Sequence, residues 1–202
     1  MSLPADLPAL LLEHIVIVAL SIALAAAIGV PAGIAVTRYP ALERWLVGLA
    51  NIAQTIPSLA LFGFLITLPV LGGIGPRPAI VALILYALLP ILRNTVAGIE
   101  GIDPALRESA LAIGMRPSEM LRYVEIPLAA RTILAGVRIA AVTTIGTATI
   151  AAAIGGGGLG VLIFRGLASL NTGEILAGAA PAALLALLTD GGLAWCERRL
   201  SR

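Results

Sequence analysis

The segment ESALAIGMRPSEMLRYVEIP, residues 108–127, is the polar stretch that decides the fold of this chain. It interrupts a sequence that is otherwise as hydrophobic as a membrane protein. Asp103 is a suitable N-cap for a helix that begins at Pro104, and Gly114 can supply the positive φ that ends such a helix. A second short helix is expected over residues 117–127. The segment therefore predicts two short helices that meet at a glycine turn and form a docking surface.

The composition of the whole chain assigns its structural class. Of its 202 residues, 59% are apolar and 12% are charged, and the mean hydropathy is +1.05. These values lie outside the range of soluble globular proteins and predict an integral membrane protein. A chain of this length provides for about five spans of ~20 residues each, with their connections. We therefore expect an all-α, polytopic membrane protein with a single domain over residues 1–202.

Hydrophobic runs of bilayer length predict the positions of these spans. They lie at about residues 15–36, 45–71, 79–99, 132–154 and 175–195. If the turn from Arg38 to Arg44 is cytoplasmic, the loop at 100–131 and the C-terminal tail are cytoplasmic too. Most arginines then lie inside, with Arg77 and Arg165 outside, as the positive-inside rule expects. This topology puts the N-terminus outside and the C-terminus inside.

The residue types argue against several other classes of protein. Every basic residue is arginine and most lie beside apolar spans, where they orient membrane proteins, so nucleic-acid binding is not expected. The single cysteine, Cys196, cannot form an internal disulfide, and no zinc or redox motif is present. No Ser-His-Asp, paired-carboxylate or metal-ligand set occurs, and the one histidine, His14, lies at a membrane edge. We expect no catalytic site, metal or cofactor in this chain.

Polar residues within the second and fourth spans suggest a translocation path. The candidates are Asn51, Gln54, Thr55, Ser58, Thr143 and Thr147. The first four recur at i, i+3, i+4 and i+7, which is one face of a helix, and Pro57 is expected to kink that helix. Hydrogen bonding between helices is the alternative for each residue. Arg93, near the inner end of the third span, is expected to project beyond the bilayer with its helix; lining the path is its alternative.

The run GGGGLG, residues 155–160, is expected to end the fourth span, because each glycine costs a helix about 1 kcal/mol relative to alanine. A turn or gate on the outer side is expected at Gly155, Gly156, Gly157 and Gly158. Residues 161–170 are too few to cross the bilayer, so an external or re-entrant element should follow. A phosphate-binding loop is not expected, since no strand precedes the run and no Lys-Ser or Lys-Thr follows it.

The polar segment resembles the cytoplasmic loop of binding-protein-dependent ABC import permeases. The family pattern is E-A-A, three residues, G, nine residues, I, one residue and L-P. Glu108, Ala110, Gly114 and Pro127 match this pattern, and Ser109, Val124 and Ile126 are conservative replacements. Segments 51–65, 93–115 and 136–160 are similar to permeases of osmoprotectant importers. The resemblance covers about residues 15–195 and implies the type I ABC importer permease fold.

The resemblance also implies a function, namely import of quaternary-ammonium osmoprotectants such as glycine betaine, carnitine or choline across the bacterial cytoplasmic (inner) membrane. The implied partners are two cytoplasmic ATPase subunits that use ATP and Mg, a second permease chain, identical or paralogous, and an external substrate-binding protein. The residues implied in ATPase coupling are Glu108, Ser109, Ala110, Gly114 and Pro127. The chain itself is then a transport subunit without a catalytic site, surrounded by membrane lipid.

Two alternatives remain from the sequence. A permease of the methionine type would share the five-span plan but carry an amino acid. A channel or scaffold outside the ABC class would use the loop at 100–131 only to cap the bundle. The chain is 4% aromatic, so we expect no aromatic cage for a quaternary ammonium group. Substrate selectivity is therefore expected to reside mainly in the external binding protein.

Overall fold

The computed structural model describes residues 4–71 and 73–200. This part of the chain is almost entirely helical and contains no strand, which confirms the all-α prediction. Its α-helices are α1 (Leu7–Arg38), α2 (Pro40–Thr55), α3 (Ser58–Ile66), α4 (Pro76–Glu100), α5 (Pro104–Ala112), α6 (Pro117–Met120), α7 (Ile126–Ala151), α8 (Gly160–Ala168) and α9 (Thr172–Leu200). Short 3₁₀ turns occupy Pro69–Leu71 and Ala152–Ile154, and a π turn, Leu121–Glu125, joins α6 to α7.

Within the described residues, four helical segments are each long and apolar enough to cross a membrane. They are α1, α4, the continuous segment Pro117–Ile154, and α9. Helices α2 and α3 together form a fifth candidate span, bent by 101°. Up to five spans therefore agree with the prediction, and the second is broken into two helices, a sharper change of direction than the expected kink at Pro57.

Pro57 explains the break in the second span. The ring of a proline disfavours a helical conformation for the residue before it, and Ile56 accordingly adopts φ −71° and ψ 126°. The helix restarts at Ser58 in a new direction. Ser58 therefore lies on a different helix from Asn51 and Gln54, and the prediction that these residues share one helical face was wrong.

Helix α4 lies at the centre of the bundle, between α1 and α7. Both neighbours approach it through glycines. A Cβ atom at Gly33 of α1 would lie 2.6 Å from Thr95, and one at Gly136 of α7 would lie 2.5 Å from Asn94. Small residues allow such close contact between membrane helices, where packing rather than exclusion of water drives association. Helix α9 packs against α7 and α8.

The outer half of the broken span is held in the same core. Phe62 of α3, Leu83 of α4 and Ile145 of α7 are almost completely buried and belong to one apolar cluster. The bend at Pro57 therefore turns α3 into the bundle. The second span crosses beside α4 as two short helices.

Contacts between helix termini define two ends of the bundle. At the first, here called the loop end, Arg38 at the end of α1 meets Glu125 at the start of α7. At the second, called the glycine end, Arg165 of α8 pairs with Asp6, which precedes α1. The turn before α4 is hydrogen-bonded to the last residue of the Ala152–Ile154 turn, so it also lies at the glycine end. Successive spans thus alternate in direction, as the sequence predicts.

The segment between α4 and α7 agrees with the sequence prediction only in part. Helix α5 begins at Pro104, as expected. The second predicted helix does not end at Pro127, because the chain stays helical from Pro117 through the π turn into α7. Pro127 lies in the first turn of α7, where a proline does not disrupt the helix. The fourth span is therefore longer than residues 132–154.

Candidate functional site

The connection at residues 101–120, here called the docking loop, is built by a helix cap and a glycine turn. The side chain of Asp103 accepts a hydrogen bond of 2.9 Å from the backbone N–H of Ala105. After α5, Gly114 adopts φ +82°, and its N–H donates to the carbonyl of Leu111 at 2.9 Å. A Cβ atom at Gly114 would meet open space, so the left-handed φ and not crowding favours glycine here. The predicted turn is confirmed.

Helix α5 presents a mixed surface at the loop end. Glu108 and Ser109 are exposed, and the Ser109 hydroxyl donates back to the carbonyl of Ala105. Large apolar side chains are exposed nearby at Leu106, Leu111 and Ile113. Apolar side chains left exposed beside a carboxylate are typical of a protein docking surface and of a helix that fits a partner's groove.

Two of the residues implied in ATPase coupling do not present an exposed surface in the docking loop. Ala110 is only 5% exposed and faces the interior of this chain, so it supports the packing of α5 and does not present a surface to a partner. Pro127 is exposed but belongs to the first turn of α7, beyond the docking loop. The structure therefore narrows the candidate contact surface to α5 and the turn at Gly114.

A buried carboxylate ties the docking loop to the spans. Glu125 is completely buried, and it accepts a hydrogen bond of 3.1 Å from Nε of Arg107 and another from Nη2 of Arg38. We call these three residues the Glu125 cluster. The sequence did not indicate this cluster, because Glu125 occupies the variable position between Val124 and Ile126 of the motif and Arg38 lies 87 residues away. A lone acid among the apolar residues that begin a span was the available signal.

A cavity of about 270 Å³, here called the polar cavity, opens between α2, α4 and α7. Its lining consists of Gln54, Tyr86, Leu89, Pro90, Arg93, Ile139, Thr143 and Thr147. Three of the six predicted path residues, on two different helices, therefore face one space. Arg93, for which lining a path was the alternative interpretation, faces it as well.

The predicted path residues differ in where their side chains form hydrogen bonds. Asn51 accepts from Nη2 of Arg93 at 2.9 Å, and Gln54 donates to the carbonyl of Tyr86 at 2.7 Å, so both bond across helices. The hydroxyls of Thr55, Thr143 and Thr147 bond instead to carbonyls of their own helices. Thr55 and Ser58 are not among the residues that line the polar cavity. A role in a path remains a prediction for all six residues.

The glycine run forms a tight turn at the glycine end. Gly157 and Gly158 have φ of +77° and +75°, and the N–H of Gly158 donates to Oε2 of Glu13 at 2.9 Å. A Cβ atom at Gly157 would lie 2.3 Å from Glu13, and one at Gly158 would lie 2.9 Å from Nδ1 of His14. His14 is buried against this turn. Helix α8 follows as the predicted short element, and a role as a gate stays a prediction.

An ion-pair network fastens α1, α8 and α9 together at the glycine end. Arg165 lies 2.9 Å from Asp6 and 3.1 Å from Glu174. The hydrogen bond from Arg165 lowers the pKa of the Asp6 carboxyl, and the two carboxylates raise the pKa of Arg165. The Asp6–Arg165 ion pair is therefore favoured in its charged form at neutral pH.

Among residues 4–71 and 73–200, no three or more His, Cys, Asp or Glu side chains are grouped so as to hold a metal ion.

Comparison with known proteins identifies the family. Residues 12–202 match the family described as "Binding-protein-dependent transport system inner membrane component". The chain is 47% identical to the "Choline transport system permease protein OpuBB" of Bacillus subtilis and 46% identical to the "Glycine betaine/carnitine/choline transport system permease protein OpuCB" of the same organism. Each alignment covers 94% of this chain and 86% of the relative.

A solved structure shows the same fold. The MetNI methionine ABC transporter in an inward-facing conformation superposes with a TM-score of 0.86 at 26% identity, and the alignment covers 100% of both chains. The fold, the loop pattern and the relatives therefore agree. This chain belongs to the family of binding-protein-dependent transport system inner membrane components.

Proposed function

We propose that this chain is the permease subunit of an ATP-driven importer of quaternary-ammonium osmoprotectants such as glycine betaine, carnitine or choline. The observation that carries the proposal is the docking loop, in which a capped helix and a Gly114 turn expose Glu108 beside apolar side chains at the loop end. The names of the two Bacillus subtilis relatives support the substrate class.

The energy for transport comes from a separate subunit in this proposal. The sequence has no glycine-rich phosphate loop followed by lysine, and it contains no lysine at all. ATP and Mg therefore belong to cytoplasmic ATPase subunits, two of which dock on two permease chains. If ATP draws the ATPases together, α5 moves with them and shifts the spans between inward-open and outward-open states.

The polar cavity is the proposed route for substrate. It contains one aromatic ring, that of Tyr86, whereas tight recognition of a quaternary ammonium group uses several rings that surround the cation. Thr143 and Thr147 add polar surface without a charge. A site of this kind holds substrate weakly, which suits passage, and leaves selectivity to an external binding protein that docks at the glycine end.

A second candidate function has a specific observation in its favour. The MetNI methionine transporter matches the fold over the whole chain, which favours an amino-acid importer of the methionine type. Its sequence is 26% identical to this chain, whereas the two osmoprotectant permeases are 47% and 46% identical. Quaternary-ammonium compounds are therefore the better supported substrates.

Reconstitution tests the proposal. The chain is expressed with its native ATPase and binding protein, purified in mild detergent, and placed in proteoliposomes. Uptake of radiolabelled choline, glycine betaine, carnitine and methionine is then measured for the parent, for a Glu108→Lys, Gly114→Val variant, and for Glu43→Lys. Glu43 is an exposed acid of α2 outside the docking loop, so its variant controls for the change of charge.

We expect the parent and Glu43→Lys to retain the ATPase subunit and to take up at least one quaternary-ammonium compound. The double variant should insert into the membrane but lose the ATPase subunit and uptake. Uptake of methionine alone would support the second candidate. Absence of an ATPase subunit from the parent would favour a channel or scaffold outside the ABC class.

A further inference from the structure

Glu125 is a buried carboxylate that lies between two arginine side chains. It is the last residue of the π turn and is completely buried, whereas the side chains of its partners Arg38 and Arg107 are 37% and 30% exposed. Removal of a carboxylate from water is costly unless opposite charges and hydrogen bonds compensate for it. Here two cations from two distant elements do so. π turns inside helices are frequent at functional positions.

The Glu125 cluster connects helix α5 to the ends of three spans at the loop end. Arg38 is the last residue of α1, Glu125 directly precedes α7, and Arg107 is in α5 beside Glu108. Arg107 also donates a hydrogen bond to the carbonyl of Ile99, in the last turn of α4. The same carbonyl accepts a weaker hydrogen bond of 3.3 Å from the N–H of Ile102, just after the helix ends. One carboxylate and two guanidinium groups thus link α5 to three spans.

The covalent connections of α5 are less suited to transmit a movement. On one side, residues 101–103 join it to α4 through Gly101. On the other side, the connection to α6 passes through the left-handed turn at Gly114, where no atom lies within 4 Å of the position that a Cβ would occupy. Short segments of this kind can act as hinges. The ion pairs to Glu125 are the rigid link between the docking surface and the spans.

We propose that Glu125 is the positioning residue that joins α5 to the loop ends of α1, α4 and α7, so that movement of a docked ATPase moves these spans together. This inference rests on the proposed function, in which an ATPase docks on α5. It assigns to Glu125 a role in energy coupling and not in docking itself, because the side chain is buried and cannot touch a partner.

A second set of ion pairs, between α7 and α9, provides a matched control. Arg138 of α7 lies 3.5 Å from Asp190 and 2.9 Å from Glu197, both in α9. Its side chain is 29% exposed, close to the 30% of Arg107. The Arg138 pairs join two spans but do not touch the docking loop. Their loss should therefore affect stability without separating α5 from the bundle.

The experiment uses the reconstituted complex of the full chain with its ATPase and binding protein. Uptake of radiolabelled choline or glycine betaine and hydrolysis of ATP are measured together for Glu125→Gln, Arg107→Gln, Arg107→Lys and Arg138→Gln. Retention of the ATPase subunit and the thermal transition of each complex are recorded in parallel. Arg107→Gln is included because it leaves Glu125 paired with Arg38 and so tests the link even if Glu125→Gln does not fold.

We expect Glu125→Gln and Arg107→Gln to retain the ATPase subunit but to lose about fivefold or more in uptake per ATP hydrolysed, the range of typical coupling between sites. Arg107→Lys, which keeps the charge, should recover most of that loss, and Arg138→Gln should stay near the parent ratio. Parent-like ratios in both neutral variants, an equal loss in Arg138→Gln, or loss of the ATPase subunit from both neutral variants would overturn the inference. A parent complex without any ATPase subunit would contradict the proposed function instead.

Discussion

Gln54 donates a hydrogen bond of 2.7 Å to the carbonyl of Tyr86, which is the carbonyl that Pro90, four residues further along α4, leaves without a helical donor. The Tyr86 hydroxyl in turn donates to the carbonyl of Ile56, at the break between α2 and α3. Unpaired carbonyls are costly inside a membrane. Two irregular helices therefore satisfy each other's backbone groups beside the polar cavity.

Replacement of Tyr86 by phenylalanine should destabilise the bend. The change removes the hydroxyl and leaves the Ile56 carbonyl unpaired, at an expected cost of about 1–3 kcal/mol. The measurement is the thermal unfolding transition in detergent. Tyr39→Phe is the control. Tyr39 is 64% exposed at the end of α1, so loss of its hydroxyl leaves no buried carbonyl without a hydrogen-bond donor. Equal transition temperatures for the two variants would contradict the role of Tyr86.

Replacement of Gly114 by alanine should loosen the docking loop. An alanine held at φ +82° costs about 1–2 kcal/mol. Hydrogen exchange of the α5 amides should become faster, and retention of the ATPase subunit should weaken. Gly48→Ala is the control, since Gly48 lies within helix α2 and an added Cβ atom meets open space there. Unchanged exchange in Gly114→Ala would show that the turn tolerates a side chain.

Replacement of Gly157 by alanine should disturb the glycine turn for two separable reasons. The backbone has φ +77°, and the new Cβ atom would collide with Glu13. Gly73→Ala isolates the first reason, because Gly73 has φ +81° and open space around it. Thermal unfolding should show a larger loss for Gly157→Ala than for Gly73→Ala. If the losses are the same, contact with Glu13 does not constrain the turn.

The ion pair between Asp6 and Arg165 should make the protein more stable at neutral pH than in acid. Arg165 holds the pKa of folded Asp6 below the usual carboxyl range, so the pair stabilises the protein above that range and the contribution disappears as pH falls through the lowered pKa. Transition temperatures of the parent and Asp6→Asn should differ at neutral pH and converge in acid. The difference should also shrink in high salt, since Asp6 is exposed. A difference that is constant with pH would contradict this assignment.

Local signals in the sequence were sufficient for the docking loop and the number of spans. A cap at Asp103, a proline after it and Gly114 at the end of α5 each act on neighbouring residues, and the structure has all three in the expected roles. The length of an apolar run likewise identifies a span, whatever helices pack against it. Pro127 misled because the chain stays helical through it: Pro127 follows the π turn closely and lies in the first turn of α7, so it does not end the helix.

Features that depend on distant partners could not be predicted. Pro57 indicates a kink, but a bend of 101° is stable because Tyr86, 30 residues away, accommodates the freed carbonyl of Ile56. The buried Glu125 side chain pairs with Arg107 and also with Arg38, which the packing of α1 brings to it. Neither partner follows from spacing along the chain, so the cluster and the polar cavity became visible only in three dimensions.

The length of α1 relates the transporter to the thickness of its membrane. Its 32 residues extend about 48 Å at about 1.5 Å per residue, against a hydrocarbon layer of about 30 Å. Such a helix must tilt, protrude or do both. Arg38 at its end then lies at or beyond the lipid headgroups, together with Glu125 and the docking loop. Lipids with longer acyl chains would cover more of α1 and bring the ATPase closer to the headgroups, so the lipid composition of the host membrane becomes a variable of energy coupling.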